Sequence, residues 1–149
     1  MLKTVILVSC MLFSAALAGP CPSGWIKFKK SCYHGIASPM YTYQEAKQVC
    51  EGLRSTLAVV NDAEENLFLK RYTLNQFHFW IGLDDIDSEG NYVWADGSSL
   101  TYSNWNSAQP DNYGNNEDCV HLISNADGKW NDLPCSNRIS FICERKARN

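Results

Sequence analysis

The sequence predicts an α+β fold in which two helices stand apart from an antiparallel sheet. Three observations carry that expectation. Two capping signals in the first half, Thr42 with Glu45 and Asn61 with Glu64, open stretches with apolar residues at helical spacing. Short runs rich in aromatic and β-branched residues fill the second half, with turn residues between them. No repeat, low-complexity tract or linker divides the 149 residues, so these runs are expected to share one core.

Taken in order, "WIKFKKSCYH" from Trp25 to His34 alternates in part and reads as a strand. Tyr43, Ala46, Val49, Cys50 and Leu53 then line one face of a helix. "LAVV", Leu57 to Val60, is a short buried strand, and the second helix runs to about Tyr72. "FHFWIGL" and "NYVWADG" are two β-rich segments on either side of the acidic "DDIDSEG". From about Leu100 to Asp118 nothing is periodic, and a loop of that length in a compact domain is usually functional or disordered. "CVHLIS", "GKWND" and "ISFICE" close the chain as strands.

The N-terminus reads as a signal peptide, residues 1–18. Lys3 is followed by the apolar run "TVILVSCMLF" and by "SAALAGP", with Ala16 and Ala18 placed for cleavage after Ala18. The run is too short to span a bilayer, and no later stretch is apolar enough to do so. The expected product is a secreted domain, 19–149, with its core at 21–144. Without Lys3 it carries 12 basic residues (13 minus 1) against 16 acidic, a formal charge near −4. No run of basic residues points to nucleic acid, and the C-terminal "ERKARN" reads as a solvated tail. Cys10 lies in the leader. Cys21, Cys32, Cys50, Cys119, Cys135 and Cys143 remain, and six cysteines in a secreted domain imply three disulfides whose pairing the spacing leaves open. Zinc is disfavoured, because no C-x-x-C pair occurs and the chain has only His34, His78 and His121. No N-x-S/T sequon is present.

"QPDNYGNNEDCV" and "WND" raise the functional question. Gln109, Asp111, Asn112, Asn115, Asn116, Glu117, Asp118, Asn131 and Asp132 are short oxygen-bearing side chains that could simply be a solvated loop. They are also the ligand types that a hard cation such as Ca²⁺ collects.

"WIGL" (Trp80 to Leu83), "QPD" (Gln109 to Asp111), "EDCV" (Glu117 to Val120), "WND" (Trp130 to Asp132) and "FICE" (Phe141 to Glu144) stand in an order and spacing that resembles a C-type lectin domain. The resemblance spans Cys21 to Glu144. It implies the C-type lectin-like fold, two helices packed on antiparallel sheets with a long calcium-binding loop. It also implies the disulfides Cys50–Cys143 and Cys119–Cys135, with Cys21–Cys32 as the extra N-terminal pair of the long form. Its principal Ca²⁺ site maps onto Gln109, Asp111, Glu117, Asn131 and Asp132, with the Asp132 carbonyl oxygen as a further ligand. Pro110 matches the family's cis-proline. An auxiliary Ca²⁺ site maps onto Asp85, Glu89, Asn112, Glu117 and Asp118, with Asn112 where an Asp is common.

In this family two vicinal sugar hydroxyls complete the metal shell and bond to the side chains that ligate it. Gln109, Asp111, Glu117, Asn131 and the stacking candidate Tyr113 would be the sugar-binding residues, with Trp105 as runner-up for the stacking role. The QPD order is associated with galactose and N-acetylgalactosamine, and the reversed polarity of EPN with mannose and glucose. "NYGNNED" is shorter than the insertion of strict galactose binders, which leaves a broader specificity, mannose included, as the alternative. The expected partners are glycans ending in galactose or N-acetylgalactosamine, microbial surfaces among them, in a role such as innate defence or agglutination. A single site of this kind is weak, so avidity calls for clustering or a non-covalent homo-oligomer. An enzyme is not expected: carboxylates committed to Ca²⁺ cannot serve as a raised-pKa acid, and the three histidines fall in strands or beside aromatics. The remaining rival is a lectin-like domain that binds protein, lipid or ice without sugar. Such members usually lose ligand residues, which are intact here.

Overall fold

The structure, a computed structural model, describes residues 19–73 and 78–148, so the expected signal peptide lies outside the described residues. Eight strands and two helices follow one another as β1 (Ile26–Phe28), β2 (Ser31–Tyr41), α1 (Tyr43–Gly52), β3 (Thr56–Leu57), α2 (Ala63–Tyr72), β4 (His78–Asp84), β5 (Val93–Trp94), β6 (Cys119–Ile123), β7 (Lys129–Leu133) and β8 (Ile139–Lys146). The sheet path is β1-β2-β8-β4-β6-β7, with β3 on β8 and β5 on β4. β4 runs parallel to β8, while the other strand pairs are antiparallel. The α+β class is as the sequence predicts, and the parallel pair is the feature that alternation along a strand does not encode.

Helix α1 begins where the capping box places it. Thr42 accepts the Glu45 amide, and the Glu45 carboxylate accepts the Thr42 amide. Tyr43, Ala46 and Cys50 are buried as expected, whereas Leu53 is the C-cap and exposed. Helix α2 is capped one residue later than the sequence suggests. Asp62, not Asn61, accepts the Glu65 amide, and the Glu65 side chain reaches back to the Asn61 amide at 2.7 Å. Glu65 wins over Glu64 because it is the buried one, held by the Tyr33 hydroxyl.

Two strands also differ from expectation. Trp25 to His34 is a hairpin, turned at Lys29 (φ 49°) and Lys30. Of "LAVV" only Leu57 is in a ladder, although Ala58 still donates to Ile142 O at 2.8 Å and the Val59 amide to the Glu144 carboxylate at 2.8 Å.

Strand β4 is buried on both faces. Phe79, Ile81 and Leu83 point into one cluster with Leu69, Trp94, Val120, Leu122 and Trp130, while Trp80 points into the other with Tyr43, Leu57 and Phe141. Burying an aromatic or aliphatic side chain of this size contributes about 1.5–3 kcal/mol. The Gly82 of "WIGL" is required by close approach: a Cβ there would stand 2.7 Å from Leu57 O. The three disulfides are Cys21–Cys32, Cys50–Cys143 and Cys119–Cys135, the pairing that the resemblance implies. Cys50–Cys143 ties α1 to β8, and Cys119–Cys135 ties β6 to the segment after β7.

Candidate functional site

The long loop between β5 and β6 is anchored at its base by aromatic rings. Tyr102 and Trp105 pack edge-on against Trp130, which is fully buried, and Trp105 also meets Tyr92. The Trp130 indole donates to Asn66 Oδ1 at 2.8 Å. Main-chain bonds Trp130 N to Asn104 O and Asn106 N to Trp130 O, at 2.9 and 2.8 Å, continue the attachment. Trp105, half-buried, is therefore a supporting residue of the loop. Asn66 and Asn104 both donate to Gly128 O, at 3.1 and 2.9 Å, and brace the β6–β7 turn. A lone Asn has no sequence signature when its partner is so far along the chain, so both escaped the sequence reading.

Two residues beyond Trp130, Asp132 follows it on the same face of β7 and lies fully buried beneath the loop. Its carboxylate accepts the amides of Asp111 (3.3 Å) and Asn112 (2.8 Å). Glu117, also buried, accepts the Tyr113 amide at 3.1 Å, and its own amide donates to Asn112 Oδ1 at 3.0 Å. The chain can wrap so tightly because Asn112 and Asn115 take left-handed backbone (φ 40° and 55°), which Asn tolerates better than most residues. The bond Gln109–Pro110 is cis. Gln109 Oε1 accepts the Asp111 amide at 3.1 Å, and the Asn131 carboxamide donates to Asp132 O. Turning that carboxamide over would present its oxygen to the same place as the carbonyl.

Carboxylate oxygens of Asp111, Glu117 and Asp132 thus lie within 4.8 Å of one another. No described lysine or arginine forms an ion pair with any of them. Burial, followed by repulsion from Asp132 and Asp111, pushes the Glu117 carboxyl above its ordinary range. The set is rich in hard oxygen acceptors and poor in positive charge, which is the chemistry a divalent hard cation completes.

The second predicted set is linked in part, although its carboxylates do not form a cluster like that of Asp111, Glu117 and Asp132. The Asp85 amide donates to Asp118 O at 3.1 Å, and Asn112 bridges Glu89 Oε2 (2.6 Å) to the Glu117 amide. Asp85 Oδ2 accepts the Gly90 amide at 2.7 Å, whereas the buried Oδ1 has no hydrogen-bond partner. Burial first, then Glu89 and Asp118, raise the Asp85 carboxyl. A buried carboxylate oxygen without a donor costs about 1–3 kcal/mol, and a cation would relieve it. Tyr113 stands 79% exposed beside the carboxylates. The three histidines are engaged elsewhere. His34 meets Gly24 O and the Trp25 ring, and His78 and His121 meet each other at 3.2 Å.

The family model "Lectin C-type domain" matches residues 40–145, which include every residue of both sets. The chain belongs to the C-type lectin domain family. It is 36% identical over 136 residues to the alpha-N-acetylgalactosamine-specific lectin of Patiria pectinifera, covering 84% of this chain and 80% of that one. It is 37% identical over 129 residues to the low affinity immunoglobulin epsilon Fc receptor of Mus musculus, covering 85% of this chain but only 38% of the receptor, so the likeness there is to one part of a longer protein. Among solved structures, the cow C-type carbohydrate-recognition domain of CD23, crystallised in the presence of a GlcNAc2Man3 oligosaccharide, superposes with a TM-score of 0.82 at 36% identity, covering 88% of this chain and 99% of that one. Members of the family bind carbohydrate and are generally not enzymes.

Proposed function

We propose that this chain is a secreted, calcium-dependent lectin that reads terminal galactose or N-acetylgalactosamine. The convergence of Asp111, Glu117 and Asp132 on one position carries this reading, with Gln109 and Asn131 hydrogen-bonded at its edge. Gln109, Asp111, Glu117, Asn131 and Asp132, with the Asp132 carbonyl oxygen, would hold Ca²⁺. Six protein oxygens with three negative charges suit a cation that takes about six to eight oxygen ligands, and leave room for sugar hydroxyls. The bound ion would polarise those hydroxyls and strengthen the bonds they make. Gln109 donates through its amide and Asp111 accepts, so the two sides of the site have opposite hydrogen-bonding sense. Tyr113, exposed at the rim, offers a ring to the apolar face of a galactose-type sugar. The name of the Patiria pectinifera relative supports the galactose family of ligands. Asp85, Glu89, Asn112, Glu117 and Asp118 would hold a second Ca²⁺ through the unpartnered Asp85 Oδ1.

The test is a galactose column run with the mature chain in Ca²⁺ and then in chelator, beside a mannose column. Retention on galactose that the chelator releases is expected. Gln109→Glu with Asp111→Asn keeps the total charge, reverses the hydrogen-bonding sense, and is expected to move retention to mannose. Retention unchanged by the swap would refute the polarity argument, and retention in chelator would refute the metal-bridged site.

A further inference from the structure

The described lysines and arginines divide into two groups. Lys29, Lys47, Lys70 and Arg138 are paired with carboxylates at 2.5 to 3.7 Å. Lys27, Lys30, Arg54, Arg71, Lys129, Arg145, Lys146 and Arg148 have no carboxylate partner within 4.0 Å among the described residues. All of these but Arg71 on α2 and Lys129 on β7 gather at one end of the sheet. Lys27 stands opposite Cys32 and Cys32 opposite Arg145, so both cations share a row across β1, β2 and β8. Ser31 stands opposite Lys146. The Ala147 amide donates to Lys30 O and the Arg148 amide to Pro20 O, both at 2.8 Å, which holds the "ERKARN" segment against the hairpin. The Arg145 guanidinium donates to Leu53 O at 3.5 Å, next to Arg54 in the turn after α1.

Beyond the end of the two-residue β3, the edge of β8 opens into a groove of about 410 Å³. Arg54, Arg145 and Lys146 line it together with the hydroxyls and amide of Ser31, Thr56 and Asn61. Its only apolar lining residue is Val59, which is buried. Two carboxylates also line it, the exposed Asp96 and the half-buried Glu144. Asp96 takes the Ser98 amide and hydroxyl at 2.9 and 2.6 Å, and Glu144 takes the Val59 amide. Burial holds the Glu144 carboxyl above its ordinary range. The groove is set at β2, β3 and β8, across β4 from the carboxylate cluster at β6 and β7.

We propose that this basic groove is a second, calcium-independent binding site for a sulfated glycan chain. Guanidinium groups match the paired oxygens of a sulfate, and the Ser, Thr and Asn groups suit sugar hydroxyls. Cations without an ion pair among the described residues give a local positive field on a chain whose net charge is negative. A lipid surface fits less well, because the groove is concave and Val59 is the one apolar residue among those that line it. The two sites would let one domain hold an anionic matrix while its metal site reads a neutral sugar.

The experiment uses immobilised heparin and the mature chain in EDTA at about 0.15 M salt, where exposed charges farther apart than about 8 Å are screened. Retention that weakens with added salt and is absent on fully desulfated heparin is expected. Arg54→Ser/Arg145→Ser/Lys146→Ser should lower the affinity roughly tenfold or more, whereas Lys47→Ser/Lys70→Ser, which removes cations already paired, should not. Should the triple variant fail to reach the wild-type melting temperature, the exposed Lys146→Glu alone must still weaken retention. Loss of retention in EDTA, equal binding to desulfated heparin, equal loss in the control variant, or tighter binding to phosphatidylserine vesicles would each overturn the proposal. Because chelator is present throughout, its failure leaves the calcium-site reading untouched.

Discussion

The sheet around β8 and the loop around Glu117 solve the problem of burial in opposite ways. At β8, Ile142 and Cys143 are fully buried, flanked by β2, and tied to α1 by Cys50–Cys143. The buried polar groups there find their partners inside the chain. In the loop, Asp132 and Glu117 are nearly as buried, yet their neighbours are other carboxylates and backbone amides. Amide donors offset part of the cost of burying charge, and no described lysine or arginine pairs with those carboxylates to offset the rest. The difference separates the part of the molecule that stabilises itself from the part that is finished by something it binds.

The strongest way to break this contrast is to remove the staple from the self-sufficient half. Cys50 and Cys143 are 93 residues apart in sequence, and losing so long a closed loop is expected to cost about 4 kcal/mol. Cys50→Ala/Cys143→Ala should lower the urea midpoint accordingly and still bind Ca²⁺ below its melting temperature. Loss of metal binding in a folded variant would show that the two halves are not separable.

The converse change strikes the loop. Asp132→Asn keeps shape and removes one buried charge, and a proposed direct ligand should matter more than the about 10- to 100-fold typical of groups that support one. Calcium affinity is expected to fall about 100-fold or more while the chelator-treated melting temperature holds or rises. A fall in that melting temperature would mean that Asp132 is structural first.

A smaller effect tests the sheet by acid. His121, 2% exposed and beside His78, is held neutral, its pKa pushed down to about 3 by burial and then by its neighbour. The unfolded chain protonates it near 6.5. Its contribution is therefore full above that pH and is lost as pH falls from about 6.5 towards 3, at up to about 1.4 kcal/mol per unit. Denaturation followed across this range should show that slope, and His121→Phe should flatten it. An unchanged slope in the variant would assign the acid sensitivity to carboxylates.

The smallest effect sharpens the loop. Tyr113→Ala should weaken galactose two- to about tenfold, the range of an aromatic contact, and leave Ca²⁺ affinity unchanged. Equal loss for both ligands would place Tyr113 in the metal shell's support instead.

How much of this was legible in the sequence follows the same division. Helix α1, β4, β6 and β8 announced themselves, because Thr42 with Glu45 and the aromatic runs are local signals. The candidate ligands were legible too, since Gln109 to Asp118 and "WND" concentrate oxygen donors in two short stretches. What was hidden depends on contacts made far along the chain. Asp62 displaced Asn61 as the α2 cap because Glu65 is fixed by Tyr33. The strand at Trp25 became a hairpin because Lys29 and Lys30 turn where β2 meets β8. The basic groove draws on Arg54 and on the adjacent Arg145 and Lys146, which are far apart in sequence and meet where the turn after α1 packs on β8.

The measurement that bears most directly on a loop completed by its ligands is calorimetric titration of Ca²⁺ into the chelator-treated mature chain, alone and with saturating N-acetylgalactosamine. If sugar and protein share the ion, the sugar must raise Ca²⁺ affinity by the same factor that Ca²⁺ raises sugar affinity. The account predicts binding in both titrations and a tighter constant with sugar present. A Ca²⁺ affinity that N-acetylgalactosamine does not change, or no Ca²⁺ binding at all, would contradict it.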